Sequence, residues 1–291
     1  MKFKRIHIIA LGLMITLVAL TILTTSSLAD ERTDSDAGST RAATGNSYMA
    51  ATAFIGSGSC GCHENAGYGT KKAMWSQTIH ANSVREPDDA SVLGNFSAST
   101  VLGLDSGNKT IGLNHNSTTG NYTITIDGTN YTVWRTLGSR QKQLYVTAVN
   151  NSKYVLPLMW ITDEARWNPE GYSANDWFNG TGAGQSPPKN TSFDLKCVGC
   201  HSTGTKVTHN ATSGEWVATY QELNVGCEAC HGPGGSHNGN PTMIWKSYDA
   251  ETCGRCHNVG RSKDLIGGEP AGYPIHADGT QTFPGDQIYD Y

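Results

Sequence analysis

All eight cysteines of the chain fall into four short clusters, and each cluster ends in a histidine. Three share one spacing: Cys197-Val-Gly-Cys200-His201, Cys227-Glu-Ala-Cys230-His231 and Cys253-Gly-Arg-Cys256-His257. The remaining cluster, the first along the chain, is shorter by one residue: Cys60-Gly-Cys62-His63. Two thiols about one helical turn apart can form thioethers with the two vinyl groups of a haem. A histidine directly after the second thiol then places an imidazole under the iron. Cys-x-x-Cys pairs also build zinc ribbons, but there two pairs converge on one ion and no histidine need follow each pair. Four such histidines among only ten in the chain select haem c, four per chain. No cysteine remains for a disulfide framework or a catalytic thiol.

Each iron needs a second axial ligand. Apart from the motif histidines and His7, five remain: His80, His115, His209, His237 and His276. His80 follows Trp75 shortly after the first motif. His237 closes a Gly- and Pro-containing loop, His231-Gly-Pro-Gly-Gly-Ser-His237, and His276 ends Gly272-Tyr-Pro-Ile-His276. These three read as distal ligands, with His209 or His115, each beside a glycosylation sequon in a polar loop, as the fourth. Methionine would compete and raise the potential. Met49, Met74, Met159 and Met243 are available, but the supply of histidine predicts low-potential bis-His haems.

The elements that must position these residues are read more coarsely. Lys71 to Val84 reads as a short helix carrying Trp75 and His80. The stretch 95–162 has no cysteine and reads as a β-rich insertion. Asn121 to Ile126 and Thr129 to Trp134 alternate around Asp127-Gly128, a hairpin signal. Gln143 to Val149 and Tyr154 to Trp160 make a second pair across residues 150–153. Residues 163–190 are loop-like. Glycine is about 12% of the chain, 34 of 291 residues, against a usual value of about 7%. The expected fold is a multihaem cytochrome c: mostly irregular, with short helices at the motifs, a small antiparallel β-meander and a core built around haems. Without haem such a chain should not fold.

Residues 1–29 read as a secretory signal. Lys2, Lys4 and Arg5 precede an apolar run from Ile8 to Leu23, and Ser27-Leu-Ala29 is a small-x-small cleavage site. An uncleaved anchor is the alternative. Residues 30–52 read as a flexible N-terminal arm, and 53–291 as the tetrahaem domain. Cleavage would leave 18 basic against 25 acidic residues, a net charge of −7. That excludes nucleic acid and anionic lipid as natural partners. It suits other redox proteins or extracellular metal acceptors, and no membrane insertion follows cleavage. Nine of the 20 asparagines begin an Asn-x-Ser/Thr sequon: Asn95, Asn108, Asn116, Asn121, Asn130, Asn150, Asn179, Asn190 and Asn210. Such an excess points to a secreted glycoprotein at an archaeal or similar cell surface.

From about Phe54 to the end the chain resembles the tetrahaem cytochrome c-554 family. The resemblance is carried by Gly56-Ser57, by Trp75-x-x-Thr78-x-His80-Ala81 and by Gly138-x-x-x-x-Gln143-x-Tyr145. Leu156-Pro157-x-x-Trp160, Gly226-Cys-Glu-Ala-Cys-His-Gly-Pro-Gly-Gly-Ser-His237 and Phe283-Pro-Gly285 with Tyr289 add to it. It implies closely paired haems, electron transfer, and distal ligation by His80, His237 and His276. The chain departs from the family at Cys60-Gly-Cys62, where the backbone freedom of Gly61 would let Cys60 reach its vinyl; attachment through Cys62 alone is the alternative. The functional expectation is electron transfer as a homo-polymer, a subunit of an extracellular cytochrome filament. A soluble monomeric carrier and a haem enzyme acting on nitrogen oxides or hydroxylamine are the alternatives.

Overall fold

The computed structural model describes residues 53–64, 69–97, 100–103, 110–168, 177, 187–235, 237, 239–246, 250–257, 264–272 and 274–282. The signal at 1–29, the arm at 30–52 and the closing Phe283-Pro-Gly285 and Tyr289 lie outside these residues.

The alternating stretches form one eight-stranded antiparallel sheet. Its strands are β1 (Val84–Arg85), β2 (Thr100–Gly103), β3 (Thr110–Asn116), β4 (Asn121–Ile126), β5 (Thr129–Leu137), β6 (Lys142–Val149), β7 (Ser152–Ile161) and β8 (Arg166–Asn168). Strands β2 to β8 follow one another in sequence order, and β1 pairs with the far end of β5, Val84 opposite Leu137. The β4–β5 turn is the expected Asp127-Gly128, with φ of 48° and 80°. Positive φ at both central residues gives the turn a twist that matches its strands. The β6–β7 connection is tighter than expected. Only Asn150 (φ 53°) and Asn151 lie between Val149 and its partner Ser152, because the asparagine itself adopts the left-handed conformation a two-residue loop needs.

The sheet buries side chains on both faces. Tyr145, Tyr154, Leu156 and Leu158 join Phe96, Ile111, Ile124, Tyr131 and Trp160 in one apolar cluster. Phe96 sits at its centre, edge-on to Tyr122, Tyr145 and Trp167 at 5.1, 5.2 and 5.3 Å, the geometry aromatic quadrupoles favour. From the same two strands Val146 and Val155 face the other way. They meet Phe193, Leu195 and Val198 beside the second haem motif, together with Trp216 and Ile275. The expectation of a small meander is therefore corrected: the sheet is larger, and the chain closes two cores of its own side chains. Its apolar residues are concentrated in β3 to β7, so a modest average composition suffices. The Gly138, Gln143 and Tyr145 of the family resemblance form one contact. Gln143 is fully buried; its amide donates to Ser91 O and Gly138 O, and its oxygen accepts from Leu93 N and Tyr145 Oη.

The helix expected over 71–84 is broken. An α-helix covers Lys71–Ser76, and His80–Asn82 forms a separate 3₁₀ turn. The Thr78 hydroxyl donates to Trp75 O, and the Asn82 amide donates to Ser76 O and Thr78 O, so local side chains compete with the helical ladder. Among the described residues no helix is long and apolar enough to cross a membrane.

The sheet is tied to the second motif by Asp194, which is fully buried in the short helix Phe193–Lys196. It accepts the Lys153 backbone N–H at 3.0 Å, and the Lys153 ammonium lies 3.5 Å away. Burial pushes its carboxyl up to about 7, against the pull of Lys153. A raised folded-state value means that the native chain holds a proton the unfolded chain releases. The contribution is full below about pH 4 and is lost as pH rises towards 7. Urea titrations of the holoprotein should show wild type losing stability relative to Asp194→Asn across that window. A pH-independent difference would refute the assignment.

Candidate functional site

The three full motifs are helical. His201 closes the helix Val198–His201, Cys227–His231 is a helix throughout, and Cys253 to His257 end the helix Ala250–His257. A first cysteine and a histidine four positions apart share one side of such a turn. The contracted motif is different: Gly61–Glu64 is a 3₁₀ helix.

Two motif imidazoles each have a second imidazole close by, with ring planes inclined at 42° and 64°. The ring centroids of His63 and His237 are 6.5 Å apart, and those of His80 and His257 are 6.0 Å apart. Rings in direct stacking come closer, as His115 does on Tyr122 at 4.0 Å and 4°. A metal bound by two opposed imidazoles at about 2.0–2.1 Å per bond sets the ring centres roughly 6 Å apart. Both pairs are thus spaced for one iron between them, and the residues present fit haem. Among the described residues no three His, Cys, Asp or Glu side chains converge as a bare metal cage would require. Sequence proximity does not set the pairing. His237 faces the contracted motif, not the motif six residues before it, and His80 faces the last motif, not the first.

The other motif histidines are oriented through their second ring nitrogen, as ligating imidazoles usually are. His201 Nδ1 lies 3.1 Å from Ser83 Oγ, and His231 Nδ1 lies 2.9 Å from Trp245 O. Burial pushes His201 down to about 4, so its ring is neutral, as a ligand must be. Among the described residues no second imidazole ring faces His201 or His231. The half-buried His276 lies 3.9 Å from Asp264. His209 packs on Trp216 at 4.8 Å and over Gly267, where a Cβ would meet its ring at 2.3 Å. His115 lies 3.7 Å from Asp89.

The motifs touch in pairs. The Cys60 and Cys227 thiols are within hydrogen-bonding reach of each other, and so are those of Cys200 and Cys256. The buried Arg255, inside the fourth motif, donates to Ala229 O inside the third.

Sequence reasoning missed two carboxylates. Glu228 lies between the cysteines of the third motif and is 3% exposed. Its oxygens accept the backbone N–H groups of Ile55 at 3.0 Å and Gly56 at 2.7 Å, ahead of the first motif. They also accept that of Gly234 at 2.7 Å, in the loop leading to His237. Glu222 accepts both the N–H and the hydroxyl of Ser57, at 3.0 and 2.8 Å. Gly226 leaves room for that second carboxylate, since a Cβ there would stand 1.8 Å from Glu222 Oε1. The available signal for Glu228 was an acidic residue at a spacer position of only one motif; nothing comparable marked Glu222.

Residues 176–232 match the family profile described as cytochrome c554 and c-prime, and residues 221–262 match the doubled CXXCH motif. The C-type polyheme cytochrome OmcB of Geobacter sulfurreducens is 38% identical over 71 residues, covering 22% of this chain and 9% of OmcB. The crystal structure of the outer cell wall cytochrome OcwA superposes with a TM-score of 0.55 at 24% identity, over 82% of this chain and 44% of that one. The chain thus spans less than half of either relative. The family profile covers a shorter stretch than the resemblance read from Phe54 onward, while the shared fold with OcwA takes in most of it.

Proposed function

We propose that this chain, a multihaem c-type cytochrome, passes electrons through four covalently held haems as one subunit of an extracellular filament. Bound haem iron supplies one-electron exchange. The protein supplies order and ligation, and the observation that carries the reading is the spacing of the imidazole pairs, 6.5 and 6.0 Å. Ligation by two histidines occupies both axial positions of an iron, which favours electron transfer over reduction of a bound substrate. The thiol contacts and the Arg255 bridge support a path through the attachment sites in the order 60–63, 227–231, 253–257, 197–201.

His276 serves as a third distal ligand, and His115 or His209 completes the coordination of a neighbouring subunit's haem. A metal–ligand bond across the interface makes assembly specific and brings the terminal haems of two subunits together. Export is supported by the N-terminal signal. The sequons support it too: Asn95, Asn116, Asn121, Asn130, Asn150, Asn190 and Asn210 are all exposed, while Asn108 and Asn179 lie outside the described residues. The acidic surface suits basic redox proteins or extracellular metal acceptors as partners.

Intact-mass measurement of the secreted protein should show four haems above the mature chain, and electron micrographs of shed surface material should show filaments. Purified holoprotein that stays monomeric at high concentration, with all four irons six-coordinate through its own side chains, would exclude the polymer and leave the carrier.

A further inference from the structure

Resting on that haem-attachment reading, we propose that the contracted motif is a full two-thioether site, in which Cys60 and Cys62 both bond the first haem because a 3₁₀ turn replaces the α turn of the other motifs. In the second motif the turn is closed by His201 N–H donating to Cys197 O at 3.2 Å. In the contracted motif the equivalent bond runs from His63 N–H to Cys60 O at 3.1 Å. The first cysteine and the histidine are thus joined end to end in both, over four steps in one case and three in the other.

The helix parameters explain why the missing residue costs so little. Four steps of α-helix rise about 6.0 Å, at 1.5 Å each; three steps of 3₁₀ helix also rise about 6.0 Å, at 2.0 Å each. Four α steps turn the chain roughly 400° and three 3₁₀ steps roughly 360°, while Cys60 itself flanks the turn with φ −81° and ψ 37°. The two cysteines are separated along the axis by about 4.5 Å in the first case and 4.0 Å in the second. What changes is their divergence around the axis, wider by roughly 60°, which rotation about the Cα–Cβ bonds can absorb.

Gly61 is not the device that makes this work. It lies in the right-handed 3₁₀ turn and not among the glycines with positive φ, and a Cβ there would meet nothing within 4 Å. The expectation that its backbone freedom absorbs the contraction is therefore corrected: the turn type does so.

Each thioether forms by adding S–H across a vinyl C=C bond: sulfur bonds the carbon next to the ring, hydrogen goes to the terminal carbon, and nothing leaves. One and two thioethers therefore give the same intact mass, and the test must read the thiol. Secreted holoprotein is denatured, reduced, alkylated with iodoacetamide, digested and sequenced by mass spectrometry. The expected result is a haem-bearing peptide with no alkyl group on Cys60. The pyridine haemochrome should match four fully saturated haems, and Cys60→Ala should shift a quarter of that band towards the one-vinyl position. Alkylated Cys60 on a peptide still carrying haem through Cys62 overturns the inference and leaves the attachment reading intact. Alkylation of both cysteines on a three-haem chain overturns attachment at this motif altogether. Gly61→Ala should load its haem as fully as wild type, and loss of that haem would refute the turn-based account.

Discussion

Replacing His237 with alanine leaves four haems attached but makes one iron five-coordinate and high-spin, and His80→Ala does the same to a different iron. The thioethers belong to the cysteines, so removing a distal imidazole opens a coordination position without detaching the group. The two variants should affect about a quarter of the haem signal each and should be additive in the double variant, since their rings face different motifs. The assignment goes beyond counting. His237→Ala should alter the haem held by Cys60 and Cys62, and His80→Ala the haem held by Cys253 and Cys256. Optical and EPR spectra decide: two fully low-spin variants with no replacement ligand would remove both residues from the irons.

Much of this site was legible before any coordinates. The Cys and His spacing is covalent chemistry written locally, and the Asp127-Gly128 turn is equally local, so both survive reading by eye. His80 and His237 also stood out, from their Trp- and Gly-flanked contexts, and each lies near a motif imidazole. Which motif each one faces was not readable, because pairing is set by long-range contacts. Val225 N–H donates to His80 O and Trp75 Nε1 donates to Val225 O, so the His80 segment is held beside the third motif. The extent of the sheet was underestimated for a related reason. β1 and β8 are two and three residues long and exist only because a long neighbour offers them partners. The broken helix at Gln77 and the 3₁₀ form of the contracted motif are choices between neighbouring turn types, which apolar periodicity does not register.

The other large effect should come from Glu228, a residue that touches no haem ligand. Its carboxyl group accepts backbone N–H groups from Ile55 and Gly56 on one side and from Gly234 on the other. The first two lie four to five residues ahead of Cys60, and the third lies three residues ahead of His237. One buried side chain therefore holds the approach to both His63 and His237, the two imidazoles proposed to share a haem, from two segments far apart in sequence. In Glu228→Leu the three donors lose their acceptor inside the protein. Each buried, unsatisfied group costs about 1–3 kcal/mol, and the contracted motif has few contacts of its own to offset that, since Gly61–Glu64 contains no buried residue. The expected result is a protein whose other three haems keep their spectra while the first becomes partly high-spin or is lost, with a clear fall in melting temperature. Glu228→Gln keeps one carbonyl oxygen as acceptor and should recover part of the low-spin signal. A merely structural role would lower stability evenly and leave every haem spectrum unchanged below the transition. If Glu228→Leu behaves that way, the carboxyl group packs the chain but does not position the first haem. If the damage is confined to the haem between His63 and His237, the x-x spacer of one motif is the positioning element of another.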